Sequence, residues 1–354
     1  MPDGSTPPRT LRTVAALAGA GLVRPADAAA LAQVAERYAI AVTPHVASLI
    51  DRDDPADPIA AQYVPHAAEA VTRGDEHPDP IGDDAKSPLG GIVHRYPDRV
   101  LLKPLLACPV YCRFCFRRES VGPDGGVLTE AELEAAYGYV RSRPEIREVI
   151  LTGGDPLMLS PRRLGAILAA LEAIAHVETL RIHTRVPVAE PSLVTSALAA
   201  ALETAKPLWL IVHVNHAREL VPPALAALEA IRRAGVPLLS QSVLLAGVND
   251  SEAALERLFR ALIAARVKPA YLHHLDPAPG TARFRVPLAR GRALMRSLRG
   301  RIPGHALPTY VVDIPGGHGK VPVGESHAEA DGGGWVLRAP DGSRHRLADA
   351  DESG

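Results

Sequence analysis

The chain has 354 residues, with 39 Lys+Arg against 40 Asp+Glu and a net charge of −1; at about 150 residues per domain this is room for two domains, or for one α/β barrel with an extension. A near-neutral balance excludes the strongly basic surface of a nucleic-acid-binding domain, and no stretch reaches the ~20 uninterrupted apolar residues of a membrane span. Residues 1–12 lack the apolar run of a secretory signal, and the three cysteines are too few and too close together for a disulfide framework, which places the chain in a reducing cytoplasm.

Residues 1–90 are rich in Ala, Asp and Pro, hold an amphipathic helix within 25–49 and read as turns and short helices over 51–87, a helical N-terminal extension without a strand pattern. The texture changes at Arg99. From there, apolar runs at 100–106, 148–152, 179–183, 208–213, 238–244, 270–274 and 309–313 alternate with stretches that predict helices at 130–141, 161–174, 191–203, 222–234, 251–265 and 288–299. Thr129 with Glu132 is a capping box, and Ser160 before Pro161 and Asp250 before Ser251 are further helix starts. Strands separated by helices of about 10–15 residues predict a parallel sheet. Six such units and a closing strand make an α/β fold, a partial (β/α)6-type barrel over 91–325, with its chemistry at the C-terminal strand ends. Residues 326–354 are Gly/Asp/Arg-rich and read as a hairpin or tail.

Cys108-Pro-Val-Tyr-Cys112-Arg-Phe-Cys115 directly follows the first predicted strand. Three thiolates at this spacing suit a [4Fe–4S] cluster in which one iron lacks a protein ligand; a zinc knuckle wants four tight ligands and would need a histidine as the fourth. Thr152-Gly153-Gly154-Asp155 ends the second strand, where paired glycines let a ligand approach the backbone and a carboxylate can hold an ammonium. Gln241 interrupts an apolar run and needs a polar partner. Residues 315–320, Pro-Gly-Gly-His-Gly-Lys, form a flexible loop almost free of side chains, in which Lys320 by itself reads as a solvated surface lysine.

Together with His94-Arg-Tyr-Pro-Asp-Arg99, Cys115-Phe-Arg117-Arg118, the stretch 241–250 and Val312-Asp313 before the lysine loop, these motifs resemble the lysine 2,3-aminomutase family of the radical S-adenosylmethionine (SAM) superfamily, over residues 57–345. The resemblance implies that Cys108, Cys112 and Cys115 hold the cluster, whose open iron binds SAM, and that Gly153, Gly154, Asp155 and Gln241 serve SAM. Lys320 would hold pyridoxal 5′-phosphate (PLP), with Arg95 and Arg99 at its phosphate. Arg117 would meet the substrate α-carboxylate, and Asp276 and Asp313 the distal ammonium of lysine. Two carboxylates converging on one pocket repel unless a cation sits between them, which fits a dibasic substrate and disfavours glutamate. The implied reaction moves the α-amino group of L-lysine to C3, giving β-lysine, through a 5′-deoxyadenosyl radical that takes hydrogen from C3. An electron donor such as flavodoxin or ferredoxin would reduce the cluster.

No further cysteine supplies the zinc-binding tail through which some members assemble, which leaves any homo-oligomer open. His273-His274-Leu275-Asp276-Pro277 resembles shorter relatives that make β-lysine for a translation elongation factor, whereas Asp313 and the glycine-rich lysine loop look like the catabolic or biosynthetic enzymes. The same chemistry on arginine stays as an alternative. A non-catalytic iron–sulfur electron-transfer protein predicts loss of Lys320, Gly153, Gly154 or the aspartates, and all are present; a PLP-only enzyme would not need the cysteine loop.

Overall fold

The computed structural model describes residues 9–349; most of the segment read against a secretory signal (1–8) and the end of the expected tail (350–354) lie outside them. Nine strands form one sheet in sequence order: β1 (Ile92–Tyr96), β2 (Arg99–Leu105), β3 (Glu148–Gly153), β4 (Thr179–Thr184), β5 (Leu208–His213), β6 (Leu238–Val243), β7 (Lys268–His273), β8 (Thr309–Ile314) and β9 (Gly319–Pro322). Strands β2 to β8 pair in parallel, joined by helical crossovers. This is the partial α/β barrel expected from the alternation of runs.

Local chemistry explains the crossovers. Thr129 Oγ1 accepts from the Glu132 N–H, and Glu132 Oε2 accepts in return from the Thr129 N–H, starting Glu130–Arg141. Ser160 Oγ accepts from the Arg163 N–H and Ser251 Oγ from the Ala254 N–H, one-way caps that start Pro161–Glu172 and Glu252–Ala264. Leu164, Ile167, Leu168 and Leu171 recur at helical spacing and are all buried against the sheet, each contributing about 1.5–3 kcal/mol by leaving water. The helix expected over 191–203 is instead a turn at Pro191–Leu193 followed by Ser196–Ala201, because Thr195 Oγ1 accepts from the Leu198 N–H and restarts the helix there.

Two strands lie outside the apolar runs that predict the others. β1 carries His94, Arg95 and Tyr96, and forms because it pairs antiparallel with β2 at the sheet edge. The expected loop at 315–320 ends in a strand: Gly316 and Gly317 take φ of 82° and 80°, a left-handed reversal that sends β9 back antiparallel along β8. Helices Ala28–Arg37, Pro44–Leu49 and Pro58–Tyr63 build a second core with Val110 of the cysteine loop. A separate three-stranded antiparallel sheet follows the barrel, from β10 (Ala328–Ala330), β11 (Gly334–Arg338) and β12 (Arg344–Ala348). Among the described residues no helix is long and apolar enough to cross a membrane.

Candidate active site

The cysteine loop leaves the C-terminal end of β2 and is held from behind by the N-terminal segment. The Tyr111 N–H donates to Ala41 O at 3.3 Å and the Arg113 N–H to Gln62 O at 2.8 Å. Arg113 is 1% exposed and pairs with the wholly buried Glu69 at 2.6 Å; Arg118 shares the same carboxylate. Behind Cys112 stands Arg185, at the end of β4, which also donates to Tyr63 Oη at 2.7 Å and pairs with Glu219 at 2.9 Å. Burial pushes the Cys112 thiol up to about 11 and raises Cys108 and Cys115, with Cys108 feeling both other thiols. A metal must therefore displace the protons as it binds. All three cysteines line one cavity with Tyr38, Tyr111 and Arg118. Among the described residues no three His, Cys, Asp or Glu side chains close around a single-ion site, whereas a cubane takes each thiolate at a different iron. The donor set fits the cluster.

Next to this loop, Gly153 takes a φ of 107°, and a Cβ on Gly154 would stand 2.2 Å from Ala107 O. The paired glycines let β3 dock backbone to backbone on the start of the cysteine loop, with the Asp155 N–H donating to Ala107 O at 2.9 Å. The Asp155 carboxylate is turned inward. Its oxygens accept from Thr184 Oγ1 (2.6 Å) and from the N–H groups of Arg185 (2.6 Å), Val186 (3.1 Å) and Leu157 (3.1 Å). Those four bonds use the carboxylate's acceptor capacity, leaving none for the ammonium expected there.

Strand β9 lies beside β8 with Asp313 directly opposite Lys320. The Lys320 ammonium is 3.2 Å from Asp313 Oδ2 and 3.1 Å from His273 Nε2, and stands 5.1 Å from the centre of the Tyr271 ring. His273 Nδ1 is 3.1 Å from the same Asp313 oxygen, the arrangement of an imidazole N–H donating to a carboxylate. Burial pulls His273 down to about 4, so the ring is neutral. Burial also pushes Asp313 up, but the hydrogen bond from His273 and the Lys320 charge prevail and hold it near about 2. Burial lowers Lys320 against the pull of Asp313. Asp276 is pushed up to about 7, by burial first and then by the charge of Asp313. Among the described residues no side chain donates a hydrogen bond to its carboxylate.

Register places Gln241 of β6 between His213 of β5 and Tyr271 of β7, so it shares their face of the sheet. Arg95 reaches Asp83 at 2.8 Å and lies 3.7 Å from Asp313, while its Nε is buried without a partner, an orphaned donor of the kind a phosphate satisfies. With Lys320 beside it, the donor set fits PLP. Arg117 also pairs with Asp83 at 2.8 Å. The structure thus brings together Arg95, Arg117, Asp276, Asp313 and Lys320. Arg99 it leaves on the rim, paired with Asp98 at 2.9 Å and stacked 3.9 Å over Tyr96.

Several site residues escape sequence reasoning. Asp83, 5% exposed, joins the two arginines. His183 and His213 face each other at 3.4 Å, with His183 Nε2 buried and unpartnered. A polar residue ending an apolar run was the one available signal for these histidines; Asp83 offered none.

Residues 102–259 match the family model described as the radical SAM superfamily. The L-lysine 2,3-aminomutase of Acetoanaerobium sticklandii is 41% identical, over 80% of this chain and 69% of that one. A putative L-lysine 2,3-aminomutase of Aquifex aeolicus is 40% identical over 81% of this chain and 78% of its own length. The glutamate 2,3-aminomutase of Clostridioides difficile is 35% identical over 86% and 72%. With a barrel that opens on a three-cysteine loop at one strand end and a lysine–aspartate pair at its edge, the chain belongs to the lysine 2,3-aminomutase family of radical SAM enzymes, isomerases whose cofactors are a [4Fe–4S] cluster, SAM and PLP.

Proposed function

We propose that this enzyme moves the α-amino group of L-lysine to C3, forming β-lysine. One observation carries the choice of lysine. Asp276 and Asp313 flank Lys320 at adjoining strand ends, and Asp276 has no side-chain donor and a carboxyl raised to about 7. A cation arriving between the two carboxylates relieves their repulsion and ionises Asp276 fully. A side-chain carboxylate arriving there would add a third negative charge, which supports a dibasic substrate over glutamate.

When bound, the cluster and SAM supply a 5′-deoxyadenosyl radical, and PLP supplies a conjugated system that carries the unpaired electron while nitrogen changes carbon. Cys108, Cys112 and Cys115 hold the cluster. Gly153, Gly154 and Gln241 present backbone and amide groups to SAM, while Asp155 fixes the ends of β3 and β4 around it. Arg95 receives the PLP phosphate and Arg99 supports it from the rim through Tyr96. Arg117 receives the α-carboxylate. Lys320 offers its amine to the PLP aldehyde, and its lowered proton affinity keeps more of that amine neutral. Once Lys320 is displaced from Asp313, the substrate's distal ammonium takes its place, so one carboxylate serves two cations in turn.

Anaerobic incubation of the reconstituted enzyme with L-lysine, SAM, PLP and a strong reductant, followed by chiral amino-acid analysis, tests the reading. β-Lysine is the expected product. SAM cleavage with glutamate converted in place of lysine would remove Asp276 and Asp313 from the pocket, whereas conversion of arginine would keep both carboxylates there and overturn only the choice of lysine. Lys320→Ala should abolish turnover and the PLP absorbance band while leaving the iron–sulfur band intact.

A further inference from the structure

The segment 79–87 touches each anion-binding element and none of the roles above uses it. Asp83 Oδ1 accepts from Arg95 NH2 at 2.8 Å, while Asp83 Oδ2 accepts from Arg117 Nε at 3.0 Å and NH2 at 2.8 Å. One buried carboxylate thus joins two guanidinium groups from different elements, β1 and the cysteine loop. The segment has little freedom of its own. Asp79 accepts from the N–H groups of Asp83 and Asp84 at 2.8 and 2.9 Å, and Ser87 Oγ donates to Asp83 O at 2.8 Å. Gly82 takes a φ of 69°, and a Cβ there would meet Gly317 N at 2.5 Å. Its backbone therefore lies flat on the turn that carries Lys320.

The engagement of each arginine is one-sided. Arg117 gives its Nε/NH2 edge to Asp83, and its NH1 stands 3.4 Å from Thr152 Oγ1 at the end of β3. Arg95 gives NH2 to Asp83 and to Ile81 O and stands with NH1 3.7 Å from Asp313, while its Nε has no partner. Each keeps donors for a second anion. Two such cations held this close repel unless a fixed negative charge lies between them, and a carboxylate that spends one oxygen on each also fixes where they point.

Resting on the proposed function, we propose that Asp83 is the positioning residue for both anion sites: it sets the separation and direction of Arg95 and Arg117, so that the PLP phosphate and the amino-acid α-carboxylate are received at one spacing, indexed to the turn that carries Lys320. A ligand that joins PLP to an α-amino acid carries both anions on one frame, and this geometry would read their spacing. Charge neutralisation alone makes a different demand, since any carboxylate in the segment would serve it.

The test uses Asp83→Asn, which keeps shape and one acceptor, and Asp83→Glu, which keeps charge and changes reach. PLP affinity is read by titrating PLP-depleted protein at the absorbance of its lysine adduct, and KM for L-lysine is read on the holoenzyme. Asp83→Asn should raise both constants about tenfold, the value of one charge-assisted hydrogen bond, with the iron–sulfur absorbance unchanged. Asp83→Glu should raise both as well. Wild-type values of both constants in Asp83→Glu would reduce the role to neutralisation and overturn the proposal, as would an Asp83→Asn change in only one of them. Arg95→Ala and Arg117→Ala serve as controls. If they leave PLP affinity and KM unmoved, the anion sites fall and the inference with them; if they move these constants and the Asp83 variants do not, only the inference falls.

Discussion

Asp276 stands where its charge depends on the company it keeps. Burial and the neighbouring Asp313 push it up to about 7, although Lys320, Arg117 and Arg95 pull the other way. A carboxyl with that value is largely protonated at pH 6 and largely ionised at pH 8, and only the ionised form adds a second negative charge for a distal ammonium. KM for L-lysine should therefore fall by about tenfold from pH 6 to pH 8, and Asp276→Asn should flatten that dependence at the high-KM end. Measured profiles of equal slope in the two proteins would take Asp276 out of the substrate's reach. The cysteines were legible because their type and spacing are conspicuous by themselves, whereas Lys320 and Asp313 were legible only through the family motif around them. Asp83 and His273 were not: their meaning lies in partners 12, 34 and 47 positions away, which only the folded chain supplies.

Between neighbouring elements, close backbone contact and buried charge do the positioning. Gly154 lets β3 touch the cysteine loop, and a methyl group there would sit 2.2 Å from Ala107 O. Gly154→Ala should push the loop aside and lose the iron–sulfur absorbance on reconstitution; a variant that loads its cluster normally would show that the loop yields. Glu69 is buried with Arg113 and Arg118 and ties the N-terminal segment to the same loop. Removing the carboxylate strands two guanidinium groups, so Glu69→Ala should cost about 3–5 kcal/mol, read as a lowered thermal midpoint, with Glu69→Gln intermediate. A midpoint matching wild type would mean that water relieves the arginines. Element identity was readable here because apolar runs and capping boxes are local signals. The strands β1 and β9 were hidden, since edge pairing and a left-handed glycine turn decide them and neither holds more than two apolar residues in a row.

Across the whole molecule the sheet runs from β1 to β9 without closing through strand pairing. Its two edges nevertheless meet: the Lys320 N–H donates to Tyr96 Oη at 2.7 Å, and Arg95 of β1 stands 3.7 Å from Asp313 of β8. The seam of the open barrel is thus closed by side chains of the site itself. Segments held by few such contacts open with a smaller free energy than a central strand. Amide hydrogen exchange should accordingly be faster at Lys320 than along β4 to β6, and PLP should slow it selectively. Equal protection at the seam and at the centre would contradict this picture. One amide then doubles as a gauge, since the backbone proton of the reactive lysine is guarded by a phenol on the opposite edge. Its exchange rate reports how often the barrel parts at the place where substrate and cofactor must be exchanged, and turnover cannot outrun that opening if ligands use the seam as their door.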